Sequence, residues 1–510
     1  MSTEHGTRPF ALSRREVAAL IGLLWLYHAS RLWNLTALPM FLDESLYLWW
    51  ARVFRATGDL VQPIRETTIL QPLLLGLMPA LDGGSPLGHL FTGRWLSVAA
   101  GSLTVVGIVL LGRTLGSAHS GLIAAWLYVL SPFALFYDRI ILTDGPLTLF
   151  GVACLYLTWR VCRRGGWRNA LALGLMLGFA MLTKVKGVFF ILIPLTVILS
   201  MPNAWRNRPR WRELAVAFGV FALLFGAMLI LGGFAVQFEF VNKAGVTTDL
   251  AAQSEQFIAN VVTLWVWLTA YVPGGLLIAT VALGVVGMLH LRRYAIWLLG
   301  YALATLVFYL VVSRIWYPRY LLPIMPPLWL CAASGLTAVG EWMRNWPRAR
   351  RWAVGALGIV VFLLLLAPSV SFDRALVTDP LTAPLPDVER LQYVEGWPAG
   401  YGLAEVVALL KEQADASADG IYVTRFTFPG LANEGLKLWL GDTPKIYLRE
   451  LGFRNVPAQL NPLSQEKPTF LVLELSRYTL DDLGPRVARA QKVLEFTRPG
   501  GQSMWVVYRW

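Results

Sequence analysis

The residues best suited to chemistry are few and are spaced far apart. Asp43 and Glu44 lie together in FLDESLYLWW, directly after the first apolar stretch. An ionised Asp or Glu can take a proton from an attacking hydroxyl, the work of a general base. Adjacent carboxylates beside lipid are costly, which makes function the first hypothesis for them. The structural alternative is a helix start whose free N–H groups one of them satisfies. Asp138, Arg139 and Asp144 follow in YDRIILTDGPLTLF. Asp144 could orient a sugar or an acceptor, or could cap a helix that begins at Gly145-Pro146. Arg139 could simply pair with Asp138.

Cations come next. Lys184 and Lys186 in MLTKVKGVFF sit where two apolar stretches meet. Two ammonium groups at the edge of hydrocarbon call for an anion, and a lipid phosphate is the natural one, unless both snorkel to the interface. Arg314 and Arg319 in SRIWYPRYLLPIMPP offer the forked donor that suits phosphate. Ordinary headgroup contact is the alternative for them. The five histidines at 5, 28, 89, 119 and 290 show no ligand spacing, and Cys154, Cys162 and Cys331 form no CxxC pair. Neither a metal nor another cofactor is expected.

These groups need a scaffold, and composition says which. Of 510 residues, 56% are apolar and 15% charged, where a soluble domain has roughly 25% charged. Apolar stretches recur at about 16–36, 88–112, 116–136, 144–162, 168–184, 186–202, 214–234, 264–290, 294–313, 320–340 and 352–370. That predicts a polytopic helical membrane protein of about eleven spans. Arg14 and Arg15 before the first run, with no small-residue cleavage site, predict an uncleaved first helix. Within the first long loop, Leu46, Trp49, Trp50, Val53 and Phe54 recur at helical spacing, and Ile69–Leu81 is apolar but broken by prolines. Both segments are expected to lie in the interface.

The net charge of +13 does not signal nucleic acid. Residues 371–510 carry 15 Lys and Arg against 17 Asp and Glu, a net of −2, which leaves +15 in residues 1–370. Clusters at 160–168, 206–212, 292–293 and 344–351 fall in alternate loops. That pattern predicts a plasma or inner membrane protein with these loops and the N-terminus cytoplasmic and the C-terminus outside. Residues 371–510 change character. IYVTRF, KIYLRE, TFLVLEL and SMWVVYRW read as strands, and 403–414, 433–440 and 482–491 as helices. An extracytoplasmic α/β domain with a mainly parallel sheet is expected there, after a membrane domain of residues 1–370.

Taken in order, these motifs resemble the GT-C superfamily of integral-membrane glycosyltransferases, most nearly the protein O-mannosyltransferase and lipid A aminoarabinose transferase group. The Asp-Glu pair, RIILTDGP, LTKVKG, RYLLP and Arg94 in TGRWLSV carry the resemblance over about residues 10–340. One position departs: those aminoarabinose transferases have a Lys before prolines in the second interfacial helix, and Gln71 precedes Pro72 here. The resemblance implies an inverting transfer of a sugar from a polyprenyl phosphate to a hydroxyl of a protein, lipid or glycan. It makes Asp43 the base, with Asp144 and Glu44 in support. Lys184 and Arg319 would hold the leaving phosphate, and Arg139, Arg94, Lys186 and Tyr320 would line the substrate. A secondary transporter should instead show inverted repeats, and none is found in the sequence. A non-catalytic envelope-glycan assembly protein would tolerate loss of Asp43.

Overall fold

The computed structural model describes residues 13–66, 68–79, 85–115, 118–200, 208–244, 250–312, 316–426, 428, 430–475, 483, 487, 490–501 and 503–510. Arg206, Arg314 and most of the helix expected at 482–491 lie outside them. Helices dominate. The first group is α1 (Arg14–Leu32), α2 (Leu42–Thr57), α3 (Val61–Arg65), α4 (Leu70–Gly76), α5 (Pro86–Thr114), α6 (Ala118–Val129), α7 (Pro132–Asp138), α8 (Asp144–Arg164) and α9 (Trp167–Thr183). A 3-10 turn at Val185–Ile191 leads into α10 (Leu192–Ser200), followed by α11 (Arg208–Ala244), α12 (Leu250–Tyr271), α13 (Gly274–Leu291) and α14 (Arg293–Val312). A second 3-10 turn, Pro318–Ile324, opens α15 (Met325–Met343), and α16 (Arg348–Thr378) follows.

Seven helices among the described residues are long and apolar enough to cross a membrane, or eight if the bent pair α6–α7 counts as one. The protein is a multi-pass membrane protein. Two expected spans are broken, and proline explains both. The stretch at 116–136 bends by 69° between α6 and α7, where Pro132 starts the new helix and the Ser131 hydroxyl accepts from the Ala134 N–H. The stretch at 264–290 is not one helix, because Pro273 separates α12 from α13. Asn260 of α12 donates to the Tyr309 and Leu310 carbonyls, and Tyr271 packs on Phe133. The middle and the C-terminal end of α12 therefore both contact residues at one end of the bundle. Close crossings rely on small residues: Gly287 of α13 and Gly335 of α15 each lie where a Cβ would strike the other helix's backbone.

α16 continues past residue 370 to Thr378. Beyond it come α17 (Asp387–Arg390), a π-helical turn (Leu391–Glu395), α18 (Leu403–Ala416), β1 (Ile421–Phe426), a second π turn (Leu431–Gly435), α19 (Leu436–Leu440), β2 (Ile446–Leu451), α20 (Val456–Glu466), β3 (Thr469–Glu474), β4 (Gln491–Thr497) and β5 (Met504–Arg509). The sheet runs β2-β1-β3-β5-β4. Its first three strands are parallel, with Tyr422 opposite both Tyr447 and Thr469, whereas β5 and β4 are antiparallel. The sheet is thus mixed. β1 and β3 are buried along their whole length, as strands covered on both faces must be. One continuous apolar core runs from Leu23 of α1 to Val507 of β5.

Candidate active site

Asp43 and Glu44 share a helical turn but not a task. α2 begins at Leu42, and the Glu44 carboxylate reaches back to accept the Phe41 N–H at 2.8 Å. The capping expected of this pair therefore belongs to Glu44, which also accepts the Ile141 N–H at 2.9 Å and two donors of Arg94 at 2.7 and 2.8 Å. Arg94 spends its remaining donors on the Leu35, Leu38 and Pro39 carbonyls. All five of its N–H groups are occupied, and the pair is sealed from solvent. Asp43 turns the other way. Its carboxylate accepts from Arg319 at 3.2 Å and is 23% exposed.

From there a chain of alternating charge extends. Arg319 lies between Asp43 and Asp144, its Nε 3.9 Å from the Asp144 carboxylate. Asp144, the first residue of α8, takes the Lys184 ammonium on both oxygens at 2.8 and 3.0 Å. Helix start and ion pair coexist, since an acid there also meets the helix dipole. Lys184 stands where α9 ends, and the chain doubles back so that Gly187 rests on the Ala180 backbone with no room for a Cβ. That close approach is what the glycine of LTKVKG provides. The Tyr320 ring joins the cations: the Lys184 and Lys186 ammonium groups lie 4.1 and 3.5 Å from its centre. Among the described residues the cluster thus holds three cations against two acids.

Other expected site residues lie apart from this chain. Arg139 does not pair with Asp138. Its guanidinium donates to the Ser30, Arg31, Trp33 and Asn34 carbonyls, closing the C-terminal end of α1. Asp138 is fully buried, accepting from the Tyr27 and Tyr128 hydroxyls at 3.0 and 2.7 Å, with Arg31 3.7 Å away. The structure therefore places Arg139 and Arg94 on backbone carbonyls rather than toward the charged cluster. In sequence, an Arg that binds carbonyls looks like an Arg that binds phosphate.

Sequence reasoning did not identify Gln392 and Tyr393, which bond Arg319 at 3.2 and 3.1 Å from the C-terminal region. That region also grips α2: Arg52 pairs with Asp442, and the Lys437 ammonium lies 5.3 Å from the centre of the Trp49 ring. No motif signals such contacts. At the other end of α8, about 30 Å from Asp144 by helix rise, Arg163 donates to the Tyr294 hydroxyl and Arg210 to the Arg163 carbonyl. Two of the basic clusters thus meet there, beside the residue that follows the third. No group of residues that could hold a metal occurs among the described residues.

Comparison with known proteins agrees with this architecture. Residues 87–231 match the family described as dolichyl-phosphate-mannose-protein mannosyltransferase. No curated protein matches the sequence. Among solved structures, the chain is similar to apo ArnT from Cupriavidus metallidurans, with 16% identity, a TM-score of 0.59, and 96% of this chain and 97% of that one covered. It is similar to ArnT bound to undecaprenyl phosphate, with 14% identity, a TM-score of 0.52 and 98% of each chain covered. It is also similar to the archaeal oligosaccharyltransferase AglB from Archaeoglobus fulgidus, in complex with an inhibitory peptide and a dolichol-phosphate, with 12% identity, a TM-score of 0.56, and 96% and 74% covered. Over nearly its whole length, this chain shares the fold of these ArnT and AglB structures.

Proposed function

We propose that the protein is an inverting glycosyltransferase that moves a sugar from a polyprenyl phosphate to an acceptor hydroxyl on the outer side of the membrane. The observation that carries this reading is the Asp43–Arg319–Asp144–Lys184 chain with Lys186 beside it, a surplus of three cations over two acids among the described residues. A phosphate is the ligand that such a surplus in a poorly solvated site favours. The undecaprenyl phosphate and dolichol-phosphate in the solved neighbours support a polyprenyl-phosphate donor here.

The roles follow from exposure and partners. Asp43, the most open of the four, takes the acceptor proton. The acceptor oxygen then attacks the anomeric carbon from the face opposite the phosphate, so configuration inverts as the bond from that carbon to the phosphate oxygen breaks. Lys184 and Arg319 stabilise the departing phosphate, whose charge grows in the transition state. Asp144 is nearly sealed and bonded to Lys184 with Arg319 alongside, so it orients both cations rather than moving a proton. Lys186 and Tyr320 complete the cationic wall. Glu44, Arg94 and Arg139 hold the loops from which the site projects. The acceptor is a hydroxyl of a protein, lipid or glycan, and the sugar is a hexose or a pentose.

The decisive test is transfer of labelled sugar from a synthetic polyprenyl-phosphate donor by the purified protein; a wild-type enzyme that binds the donor and transfers nothing would refute the reading. The eleven-span arrangement, with the basic clusters cytoplasmic and residues 371–510 outside, has its own test. The three native cysteines are buried, so an impermeant thiol reagent on intact cells should label Glu412→Cys and spare Arg168→Cys. The reverse pattern overturns the orientation.

A further inference from the structure

Arg319 is held by more than acids. One terminal nitrogen donates to Asp43, and the other donates to the Tyr393 hydroxyl and the Gln392 side-chain carbonyl. The last two are neutral, so they fix the guanidinium without cancelling its charge. Both lie in the π-helical turn Leu391–Glu395, closed by the Gly396 N–H to the Leu391 carbonyl at 2.7 Å. Such turns are rare and concentrate at functional sites.

The turn is anchored on both sides. Upstream, the fully buried Glu389 accepts the Tyr137 hydroxyl at 2.7 Å, while its second oxygen has no hydrogen-bond partner among the described residues. A sealed carboxyl group with one oxygen unsatisfied is costly for stability alone, so a positional role is the better account of it. Downstream, the Leu42 N–H donates to the Pro398 carbonyl at 3.0 Å, and Gly400 lies against the Met40 backbone with no room for a Cβ. The Tyr393 ring packs 4.4 Å from Phe41. The segment 389–400 therefore touches both Arg319 and the loop that delivers Asp43.

We propose that Tyr393 and Gln392 are positioning residues that keep the Arg319 guanidinium aimed at the leaving phosphate once Asp43 turns to the acceptor hydroxyl. The inference rests on the glycosyl-transfer reading. To act as a base, Asp43 must exchange its pair with Arg319 for the acceptor. Without these neutral hydrogen-bond partners the guanidinium would keep Asp144 and the flanking Phe41, Tyr317 and Tyr320 rings, and would tilt toward the acid.

The test is steady-state kinetics of the full-length protein with a synthetic polyprenyl-phosphate sugar. Tyr393→Phe deletes the hydroxyl and keeps the ring on Phe41. Its kcat should fall about tenfold, the loss expected for one hydrogen bond to a charged group, while the donor KM and the thermal unfolding temperature hold. Adding Tyr393→Phe to Arg319→Lys, whose ammonium lacks the fork, should cost nothing further. Unchanged kcat overturns the proposal, and so does a rise in KM alone or a loss that multiplies with that of Arg319→Lys. If Asp43→Asn abolishes transfer while Tyr393→Phe leaves it intact, only the positioning role fails. If Asp43→Asn also transfers normally, the catalytic reading fails and takes the proposal with it.

Discussion

Two sets of ion pairs, a few residues apart in sequence, behave as opposites. Glu44 with Arg94, and Asp138 with Arg31 and two tyrosines, are buried knots. Asp43, Arg319, Asp144 and Lys184 form an open chain in which Asp43 is 23% and Lys184 15% exposed. In the first knot every Arg94 donor is used, and none is left to meet a ligand. A chain in which each charge is shared can exchange a partner at small cost, as binding of a charged substrate requires. Charge burial alone does not mark a site; partial exposure and shared partners set the candidate chain apart.

Four variants sharpen that contrast. The largest effect belongs to Asp43→Asn, which should lower transfer roughly 10²–10⁴-fold by removing the base while thermal unfolding and donor binding stay near wild type. Normal transfer by this variant would make the open chain a second knot. Arg94→Ala should do the reverse. It strands the buried Glu44 carboxylate, at about 3–5 kcal/mol, and should appear as a large fall in unfolding temperature, with kcat per folded molecule little changed. A stable but inactive Arg94→Ala would place Arg94 in the substrate site after all. Lys184→Ala and Arg319→Ala should each lower kcat/KM roughly tenfold to a hundredfold, the cost of one charge-assisted contact. Turnover unaffected in both would remove the phosphate from this cluster.

The same contrast explains what was legible in the sequence. Apolar runs and basic loops located nearly every long helix, because lipid imposes length and composition on them. The breaks at Pro132 and Pro273 were visible as residues, yet a proline within an apolar run can either kink a span or end it, and packing decides which. In the C-terminal region the strands at β1, β2, β3 and β5 stood out as β-branched and aromatic runs, whereas β4 did not. The signal for β4 was present: Pro499, Gly500 and Gly501 between VLEF and MWVVY mark a hairpin. The candidate site residues could be proposed as types in order, but the split between Asp43 and Glu44 could not. Adjacent residues on a helix point about 100° apart, and only tertiary structure says which direction meets Arg319. The contribution of Gln392 and Tyr393 was invisible for a related reason, since residues more than 70 positions away meet Arg319 only through the fold.

Glu389 gives the smallest and most discriminating effect, because it sits between the two classes: sealed like a knot, yet with one oxygen unpartnered. Burial pushes its carboxyl up to about 7 from an ordinary 4.5, against the weaker pull of the Tyr137 hydrogen bond and the Arg319 charge. In the unfolded chain the group loses its proton near the ordinary value. Between these two pH values the folded protein keeps a proton that the unfolded chain releases, so stability must fall as pH rises from about 4.5 to about 7 and level off above that. Glu389→Gln stays neutral throughout and should lack this part of the slope. The measurement is the difference in apparent unfolding temperature between wild type and Glu389→Gln in detergent, read from pH 4.5 to 8. Subtraction removes every other titrating group that the variant leaves alone, with Tyr137, Tyr271, Tyr393, Arg319 and Asp144 the nearest. The gap should widen in favour of Glu389→Gln as pH rises and be steady above about 7. A gap that does not vary with pH would mean that Glu389 is ionised when folded, its charge balanced by Arg319, and would move it from the sealed knots to the open chain.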